Sequence, residues 1–282
     1  MNELETSPEI IIPEVIAKVL ESRGMGRDEM VTFLYPQYER DMHDPYLMLD
    51  MNLAVDRIGI ARDKGERVAI YGDYDIDGIT ASAVMLESLG ALGIIAESYI
   101  PDRFEEGYGI NQEALASLKD RGFDLVISVD CGITSVKEAA WAKEHGLDLI
   151  ITDHHSVPEI IPEAIAVINP NRPGDPYPFK ALAGVGVAFK LMQALQTRFG
   201  LPVCGQEKWM LDLVALGTVC DVVPLVGENR VLASFGLKVM RQTRRVGLRE
   251  LALVGRTTPA ELTSYHLGFV LGPRMHAAGR LE

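Results

Sequence analysis

The sequence has little cysteine, few aromatic residues and a small share of positive charge. Its three cysteines, Cys131, Cys204 and Cys220, lie far apart, which argues against a disulfide framework and against a structural zinc site. No apolar run reaches about 18 residues. The N-terminus is acidic, so we expect neither a membrane span nor a signal peptide. Together these absences predict a reduced protein of the cytoplasm.

The positive charge that the chain does carry is concentrated near its end. The formal net charge is −13, which argues against nonspecific nucleic-acid binding by the chain as a whole, because clustered Lys and Arg hold phosphates. Residues 230–282, however, contain nine basic side chains and three acidic ones. Charge patterning alone leaves two interpretations open, a groove for an anionic strand and a solvated helix face.

Hydrophobic periodicity divides the chain into three parts. Residues 1–65 are predicted to form a helical lead-in, residues 66–170 an α/β domain, and residues 171–282 a mostly helical part and connector. In the middle part, short apolar runs alternate with helical segments, which predicts a parallel sheet with flanking helices. The predicted strands are Val68–Tyr71, Ile94–Ile100, Leu125–Val129, Leu149–Thr152 and Ala166–Ile168. The main predicted helices are Met51–Lys64, Ile79–Leu92, Gln112–Arg121, Ser135–His145, Leu182–Arg198, Glu207–Val219 and Asn229–Gln242.

Acids and histidines follow three of these strands, and one more acid ends an apolar helical run. They are Asp73, Asp75 and Asp77 after the first strand, Asp130 after the third, Asp153, His154 and His155 after the fourth, and Asp221 after the helical run. Ligands gather at the carboxyl ends of parallel strands. We therefore expect these side chains to lie close together in a single site.

The three aspartates after the first strand alternate along a segment that we expect to be extended. They would then point to one side and repel one another unless cations lay between them. Only one of them can cap the following helix. A lone Asp130 could be a turn residue, but mixed carboxylate and imidazole donors suit Mn²⁺, Mg²⁺ or iron. Two such ions, about 3.5 to 4 Å apart, favour phosphoryl displacement, so the residues predict phosphoester hydrolysis.

Four short segments carry a family resemblance. They are Asp73–Thr80, Val129–Gly132, Asp153–His155 and Gly217–Leu225. Their order and spacing resemble the motifs of the DHH phosphoesterase superfamily, and the three aspartates of the first segment resemble its RecJ-like exonucleases. Three further segments are similar to the same branch: Tyr177–Lys180, Leu182–Lys190 and Gly272–Arg280. The resemblance covers the chain from about residue 9 to its end.

The resemblance implies two divalent ions, Mn²⁺ or Mg²⁺, and a role for each site residue. The metal ligands would be Asp73, Asp75, Asp77, Asp130, His154 and Asp221, with the choice between Asp73 and Asp77 as a direct ligand left open. His155 would lie beside the scissile phosphate as a catalytic group, Asp153 would orient a neighbouring histidine, and activated water would be the nucleophile. The implied activity is hydrolysis of single-stranded DNA from the 5′ end to mononucleotides, in recombination and repair.

Four residues near the end of the chain are the predicted substrate contacts. Arg274 and Arg280 lie in a glycine-rich segment that we expect to be flexible, where Arg can bind phosphate with two hydrogen bonds. Arg245 belongs to a basic group with Arg241, Arg244 and Arg249, for which the solvated face stays an alternative. His276 is either a substrate contact or a surface residue, since RecJ-like proteins have Ile-Asn where this chain has Met275-His276.

Two alternatives to the exonuclease stay open. RecJ-like proteins continue into a second domain that helps to hold nucleic acid, and we expect that domain to be missing here. A DHH enzyme of short oligonucleotides or cyclic dinucleotides would use the same metals, and a replisome scaffold without activity would have lost its ligands. The expected partners are single-stranded DNA and, beyond it, a single-strand-binding protein and a helicase.

Overall fold

The computed structural model describes residues 11–102, 106–107 and 109–281, with side chains through residue 277. Its strands are β1 (Val68–Gly72), β2 (Ala96–Tyr99), β3 (Leu125–Val129), β4 (Asp148–Thr152) and β5 (Ala166–Ile168). Its helices are α1 (Glu14–Glu21), α2 (Arg27–Leu34), α3 (Tyr38–Asp41), α4 (Met51–Lys64), α5 (Ile76–Ala91), α6 (Gln112–Asp120), α7 (Val136–Glu144), α8 (Gly184–Phe199), α9 (Leu211–Cys220), α10 (Gly227–Met240), α11 (Val246–Val254), α12 (Ser264–His266) and α13 (Gly272–Leu281). Short 3₁₀ turns lie at Pro45–Leu47, Glu207–Met210 and Pro259–Glu261, and a π-helical turn joins α12 to α13 at Leu267–Leu271.

The five strands form a single parallel sheet in the order β2-β1-β3-β4-β5, which confirms the predicted fold class. The register aligns the strand ends, because Gly72 pairs with Val129 and Val129 pairs with Thr152. The residues that follow these three strand ends therefore start side by side at the carboxyl edge of the sheet.

Alternation along the strands builds a core on each face of the sheet. Successive side chains of a strand point to opposite faces. In β1, Val68 and Ile70 join a large core with α4, α5, α8, α9 and α10, whereas Ala69 and Tyr71 join a smaller core with α6 and α7. Both faces of the sheet are covered, which explains why the strands are continuously apolar rather than alternating.

The three predicted parts of the chain share the larger core. Met51 from the lead-in, Val84 from α5 and Phe189 from α8 are buried in the same cluster. Within this core, α8 and α9 pack directly on α5, beside the carboxyl edge of the sheet. The boundaries near residues 65 and 170 stay a prediction.

Two predictions about the segments beside the site are wrong. The helix after β1 begins at Ile76 instead of Ile79, because the Asp75 side chain caps it by accepting the Gly78 N–H at 3.0 Å. Asp77 therefore lies in the first helical turn, and the three aspartates do not share an extended segment. The glycine-rich segment from Gly272 onward is not a flexible loop but helix α13. Within the described part of the chain, no helix is long and apolar enough to cross a membrane.

Candidate metal centre

The turn after β1 is held tightly by glycines. A Cβ at Gly78 would lie 2.6 Å from the backbone nitrogen of Asp73, and one at Gly72 would lie 2.9 Å from Ile100 Cδ1. Real Cβ atoms do not approach this closely, so the turn requires glycine at both positions. It brings the buried Asp73 and the helix-capping Asp75 to the carboxyl edge of the sheet.

Asp77 is fully buried and points toward the start of α8. Its carboxylate accepts the backbone N–H groups of Gly184 at 2.6 Å and Val185 at 2.9 Å. One oxygen also lies 3.9 Å from His154 Nε2. Asp77 thus fastens α8 to α5 and borders the site at the same time.

Asp130 follows β3 in a strained backbone conformation. Its φ of 61° lies in the left-handed region, which is uncommon for a residue other than glycine. The Asp130 N–H still pairs with the carbonyl of Thr152 at 3.0 Å, so the strand ladder continues to this point. Non-glycine strain of this kind is found often at functional sites. Here it turns the buried Asp130 carboxylate toward His154 Nε2, with Oδ1 3.1 Å away.

The segment after β4 is organised by Asp153. Its Oδ1 accepts the N–H groups of His154 at 2.7 Å and His155 at 3.1 Å, and it lies 2.7 Å from His155 Nδ1. Its Oδ2 accepts the N–H of Ile133 at 2.9 Å. The buried Asp153 therefore fixes both the backbone of the two histidines and the ring of His155. Its predicted orienting role agrees with this geometry and stays a prediction.

Two asparagines that the sequence analysis missed hold the histidines from the other side. Asn169 Nδ2 donates to the carbonyl of His155 at 3.0 Å, and Asn171 Nδ2 donates to the carbonyl of His154 at 2.7 Å. Both follow β5, the last strand of the sheet. The same rule of strand ends that pointed to Asp73, Asp130 and Asp153 could have pointed to Asn169.

The predicted ligands converge, together with His155, in three overlapping groups whose donor atoms lie within 4.8 Å of one another. The groups are Asp130 with His154 and His155, Asp77 with His154 and Asp221, and Asp73 with Asp75 and Asp130. Asp221, which caps the end of α9, is the member that comes from the helical part of the chain.

Three buried atoms facing this space lack a hydrogen bond. Among the residues that the structure describes, Asp130 Oδ1, His154 Nε2 and Asp221 Oδ2 have no hydrogen-bond partner. Leaving a buried polar atom unpaired costs about 1 to 3 kcal/mol. Carboxylate oxygens and imidazole nitrogens both coordinate divalent cations. His154 belongs to two of the three groups and so does Asp130, which fits more than one ion. The residues present therefore suit a metal centre.

The electrostatics of the cluster lead to the same conclusion. Burial, together with the Asp221 carboxylate, raises the pKa of Asp77 to about 8. Burial and the carboxylates of Asp77 and Asp75 hold the pKa of Asp130 well above its ordinary value. Burial, followed by Asp75, raises the pKa of Asp221 to about 6. These shifts favour the protonated carboxyl groups in the absence of a cation, and a divalent cation would favour the ionised ones.

The pKa values of the two histidines are shifted in opposite directions. Burial, reinforced by the neighbouring His155, lowers the pKa of His154, which keeps its ring neutral as a ligand must be. The hydrogen bond to Asp153 raises the pKa of His155. Although burial opposes it, the same bond holds the pKa of Asp153 below its ordinary value.

The predicted substrate contacts are less uniform. Arg274 is exposed on α13, where its guanidinium donates to the Val270 carbonyl at 2.7 Å. His276 lines a groove beside the cluster together with Ile76 and Cys220. The side chain of Arg280 lies outside the described residues.

Arg245 and Arg244 of the basic group are engaged within the protein. The Arg245 guanidinium pairs with Glu87 and, at 3.0 Å, with Asp212. The Arg244 guanidinium stacks 3.7 Å from the ring centre of Trp209. These contacts favour a structural role for Arg245 over a phosphate contact, because both carboxylates would have to be displaced.

The fold and the site together define an α/β protein that gathers carboxylates and imidazoles into a candidate cation centre at the carboxyl edge of a parallel sheet. The family model described as DHH family, N-terminal domain, matches residues 67–218. The chain therefore belongs to the DHH family.

Individual proteins and solved structures give a more specific comparison than the family model. The chain is 46% identical to the single-stranded-DNA-specific exonuclease RecJ of Bacillus subtilis over 96% of its own length and 34% of the relative, and 34% identical to RecJ of Thermus thermophilus over 94% and 39%. A crystal structure of exonuclease RecJ bound to manganese matches with a TM-score of 0.74 at 37% identity, covering 83% of this chain and 58% of that one. A structure of Thermus thermophilus RecJ in complex with Mn²⁺ matches with a TM-score of 0.72 at 32% identity, over 96% and 40%. The chain thus spans about a third to a half of the length of the curated relatives that it matches.

Proposed function

We propose that this chain is the catalytic part of a metal-dependent exonuclease that degrades single-stranded DNA from its 5′ end to mononucleotides. The observation that carries the proposal is a set of three buried atoms without a hydrogen bond that lie close together at the carboxyl edge of the sheet: Asp130 Oδ1, His154 Nε2 and Asp221 Oδ2. Such a cluster suits a phosphodiester, because cations held there would offset its negative charge and stabilise the displacement at phosphorus.

The proposed ligands of two Mn²⁺ or Mg²⁺ ions are the members of the three overlapping groups. They are Asp73, Asp75, Asp77, Asp130, His154 and Asp221. When bound, the ions would stabilise the charge of the phosphate and make water a competent nucleophile. Asp77 is the least accessible ligand, because its two oxygens already accept the N–H groups of Gly184 and Val185. We therefore assign Asp77 a supporting position and Asp73 the more direct one.

His155 is the proposed catalytic side chain. It is half-exposed at the edge of the cluster, and Asp153 holds its Nδ1. A carboxylate in this position fixes the imidazole ring and stabilises its protonated form. His155 can therefore stabilise charge on the phosphate or give a proton to the leaving oxygen.

The substrate and the setting come from the relatives. Proteins named single-stranded-DNA-specific exonuclease RecJ are 34% to 46% identical to this chain over more than four fifths of its length, which supports single-stranded DNA as substrate. We propose Arg274, Arg280 and His276 as its contacts. An exonuclease of this kind depends on a supply of unwound strands, so a helicase and a single-strand-binding protein are the proposed partners, and the cytoplasm is the proposed location.

The experiment that tests the proposal compares three substrates. We expect Mn²⁺-dependent release of mononucleotides from a 5′-labelled single strand, with far slower degradation of its duplex and of a dinucleotide. Asp130→Asn should reduce the rate more than about a hundredfold, because the variant loses a ligand of the centre. The exposed Asp120, at the end of α6, offers Asp120→Asn as a control of equal charge change that should leave the rate unchanged.

The same comparison tests the alternative, a phosphodiesterase of short oligonucleotides. Activity restricted to the dinucleotide would favour that alternative. A single strand degraded equally fast by Asp130→Asn would contradict the assignment of the metal centre. Calorimetric titration with Mn²⁺ gives a readout independent of turnover. The heat of binding should be lost in Asp130→Asn and kept in the control Asp120→Asn.

A further inference from the structure

Two aromatic rings lie stacked and exposed near the end of the chain. Tyr265 and Phe269 have ring centres 5.2 Å apart and an interplanar angle of 23°. Their exposed fractions are 63% and 70%. Two large rings that stack on each other in water, rather than pack into the core, form a flat apolar surface. The sequence analysis missed this pair because neither residue lies in a recognisable motif.

The backbone under the pair is unusual. Tyr265 lies on α12 and Phe269 on the π-helical turn, four residues apart, so that both rings project from the same side. Leu267 and Leu271 anchor the opposite side in the core. Single π-helical turns are rare and occur frequently at functional sites. The pair is thus fixed on a well-packed support.

A groove lies between the start of α5, the end of α9, the π-helical turn and α13. Its volume is about 390 Å³, and its walls include Ile76, Cys220, Gly268 and His276. Ile76 stands between Asp75 and Asp77 in the chain, and Cys220 immediately precedes Asp221, so the groove begins beside the proposed ligands. Gly268 belongs to the same π-helical turn as Phe269, so the turn that carries this ring also lines the groove.

One arginine lies close to the aromatic pair in the chain. Arg274 is exposed one turn beyond the pair, and its guanidinium is held at the π-helical turn by the Val270 carbonyl. An arginine beside exposed aromatic rings is the combination that binds single-stranded nucleic acid, because the cation meets phosphates while the rings stack on bases. A protein partner would need apolar groups of matching shape, whereas a single strand supplies both bases for the rings and phosphates for the arginine.

We propose that Tyr265 and Phe269 form a base-stacking platform for the strand that leaves the metal centre. With the scissile phosphate at the centre, the following nucleotides pass through the groove, a base stacks on Phe269 and Tyr265, and Arg274 contacts the neighbouring phosphate. The inference rests on the proposed function, since it requires a single strand as substrate. It adds a pair of residues that position the strand without taking part in the bond cleavage.

The test measures kcat/KM with Mn²⁺ on a set of single strands, each with one abasic site at a different position. Phe269→Ala should lower kcat/KM on the intact strand about tenfold, mainly through KM. It should leave hydrolysis of a p-nitrophenyl ester of thymidine 5′-monophosphate unchanged, because that small phosphodiester does not reach the platform. Phe269→Trp should keep the activity. Val254→Ala, which shortens an equally exposed apolar side chain on α11, is the matched control.

The abasic series identifies stacking directly. At one position, the missing base should lower kcat/KM of the wild type by the same factor as Phe269→Ala, and it should have no further effect in the variant. Losses that add at every position would overturn the platform, as would an equal loss in Val254→Ala. A changed oligomeric state of Phe269→Ala with unchanged DNA hydrolysis would instead assign the pair to a protein contact. If the wild type cleaves the small ester but no single strand, the proposed function itself fails, and this is visible before any variant is made.

Discussion

Gly184 is an example of a residue whose function is to leave space. A Cβ at this position would lie 2.6 Å from Cγ of Asp130, whereas its N–H donates to Asp77. We expect Gly184→Ala to weaken Mn²⁺ binding at least about tenfold, because the Asp130 carboxylate must move out of the cluster. Isothermal titration calorimetry with Mn²⁺ measures this effect.

Gly186, two residues further on the same helix, supplies the control. The three heavy atoms nearest to a Cβ there all belong to the side chain of Leu182, at 3.2 Å or more, and none belongs to a metal ligand. Gly186→Ala should therefore bind Mn²⁺ within about threefold of the wild type. Equal affinities of the two variants would show that the space at Gly184 is not required by the metal centre.

The carboxyl cluster predicts an unusual pH dependence of stability in the absence of metal. The pKa of Asp77 is raised to about 8 and that of Asp221 to about 6, whereas both are ordinary in the unfolded chain. The folded protein then binds more protons than the unfolded one between pH 6.5 and 8. Its free energy of unfolding falls as pH rises, by up to about 1.4 kcal/mol per pH unit for each such proton.

Thermal unfolding in EDTA between pH 6.5 and 8 checks this prediction. We expect the melting temperature to fall across this window, to fall less in Asp77→Asn, and to be nearly independent of pH with saturating Mn²⁺. A melting temperature in EDTA that rises with pH would contradict the assigned direction of the pKa shifts.

At the scale of elements, a buried ion pair joins α8, α10 and the segment before α4. Lys190 Nζ lies 2.6 Å from Glu228 Oε1, and neither side chain is exposed. Both partners have further hydrogen bonds, because Lys190 also donates to the His43 carbonyl and Glu228 accepts from Tyr177 and from the His43 N–H. Removing one partner would leave a buried charge without compensation.

Lys190→Met should therefore destabilise the protein by about 3 to 5 kcal/mol. The exposed pair of Lys208 and Glu39, at the same separation of 2.6 Å, gives the control. Lys208→Met should cost less than about 1 kcal/mol, since water screens that pair. Urea unfolding of both variants provides the measurement, and similar losses would contradict the contribution of burial.

The bounds of a helix or strand were predictable from the sequence where the spacing of its apolar residues was regular. The β3 strand and the α4 helix have the predicted bounds, because their apolar pattern is uninterrupted. The start of α5 was not predictable from the pattern, since a side-chain hydrogen bond of Asp75 decides it. The left-handed backbone of Asp130 and the partners of Arg245 depend on residues far away in the sequence. A local sequence pattern contains no information on such contacts, so neither feature was predictable.

At the scale of the whole molecule, the candidate centre joins parts of the chain that are distant in sequence. Its proposed metal ligands lie after β1, β3 and β4 and at the end of α9, so they extend from Asp73 to Asp221 in the sequence. Bound Mn²⁺ should therefore stabilise the sheet and the helical part together, by about 2.7 kcal/mol at a free concentration one hundred times the Kd. Hydrogen exchange with and without Mn²⁺ measures this. We expect added protection both in β4 and in α9, and protection of β4 alone would contradict a shared centre.

The sheet also has an edge that takes no part in any of this chemistry. Gly146 lies in the exposed turn between α7 and β4, at the amino ends of the strands, with a φ of 65°, and a Cβ at this position would have no heavy atom within 4 Å. A short peptide inserted here would emerge on the side opposite the cation cluster. The protein could thus be immobilised on a glass surface in one orientation, with its reactive edge turned toward the solution and free to capture single molecules.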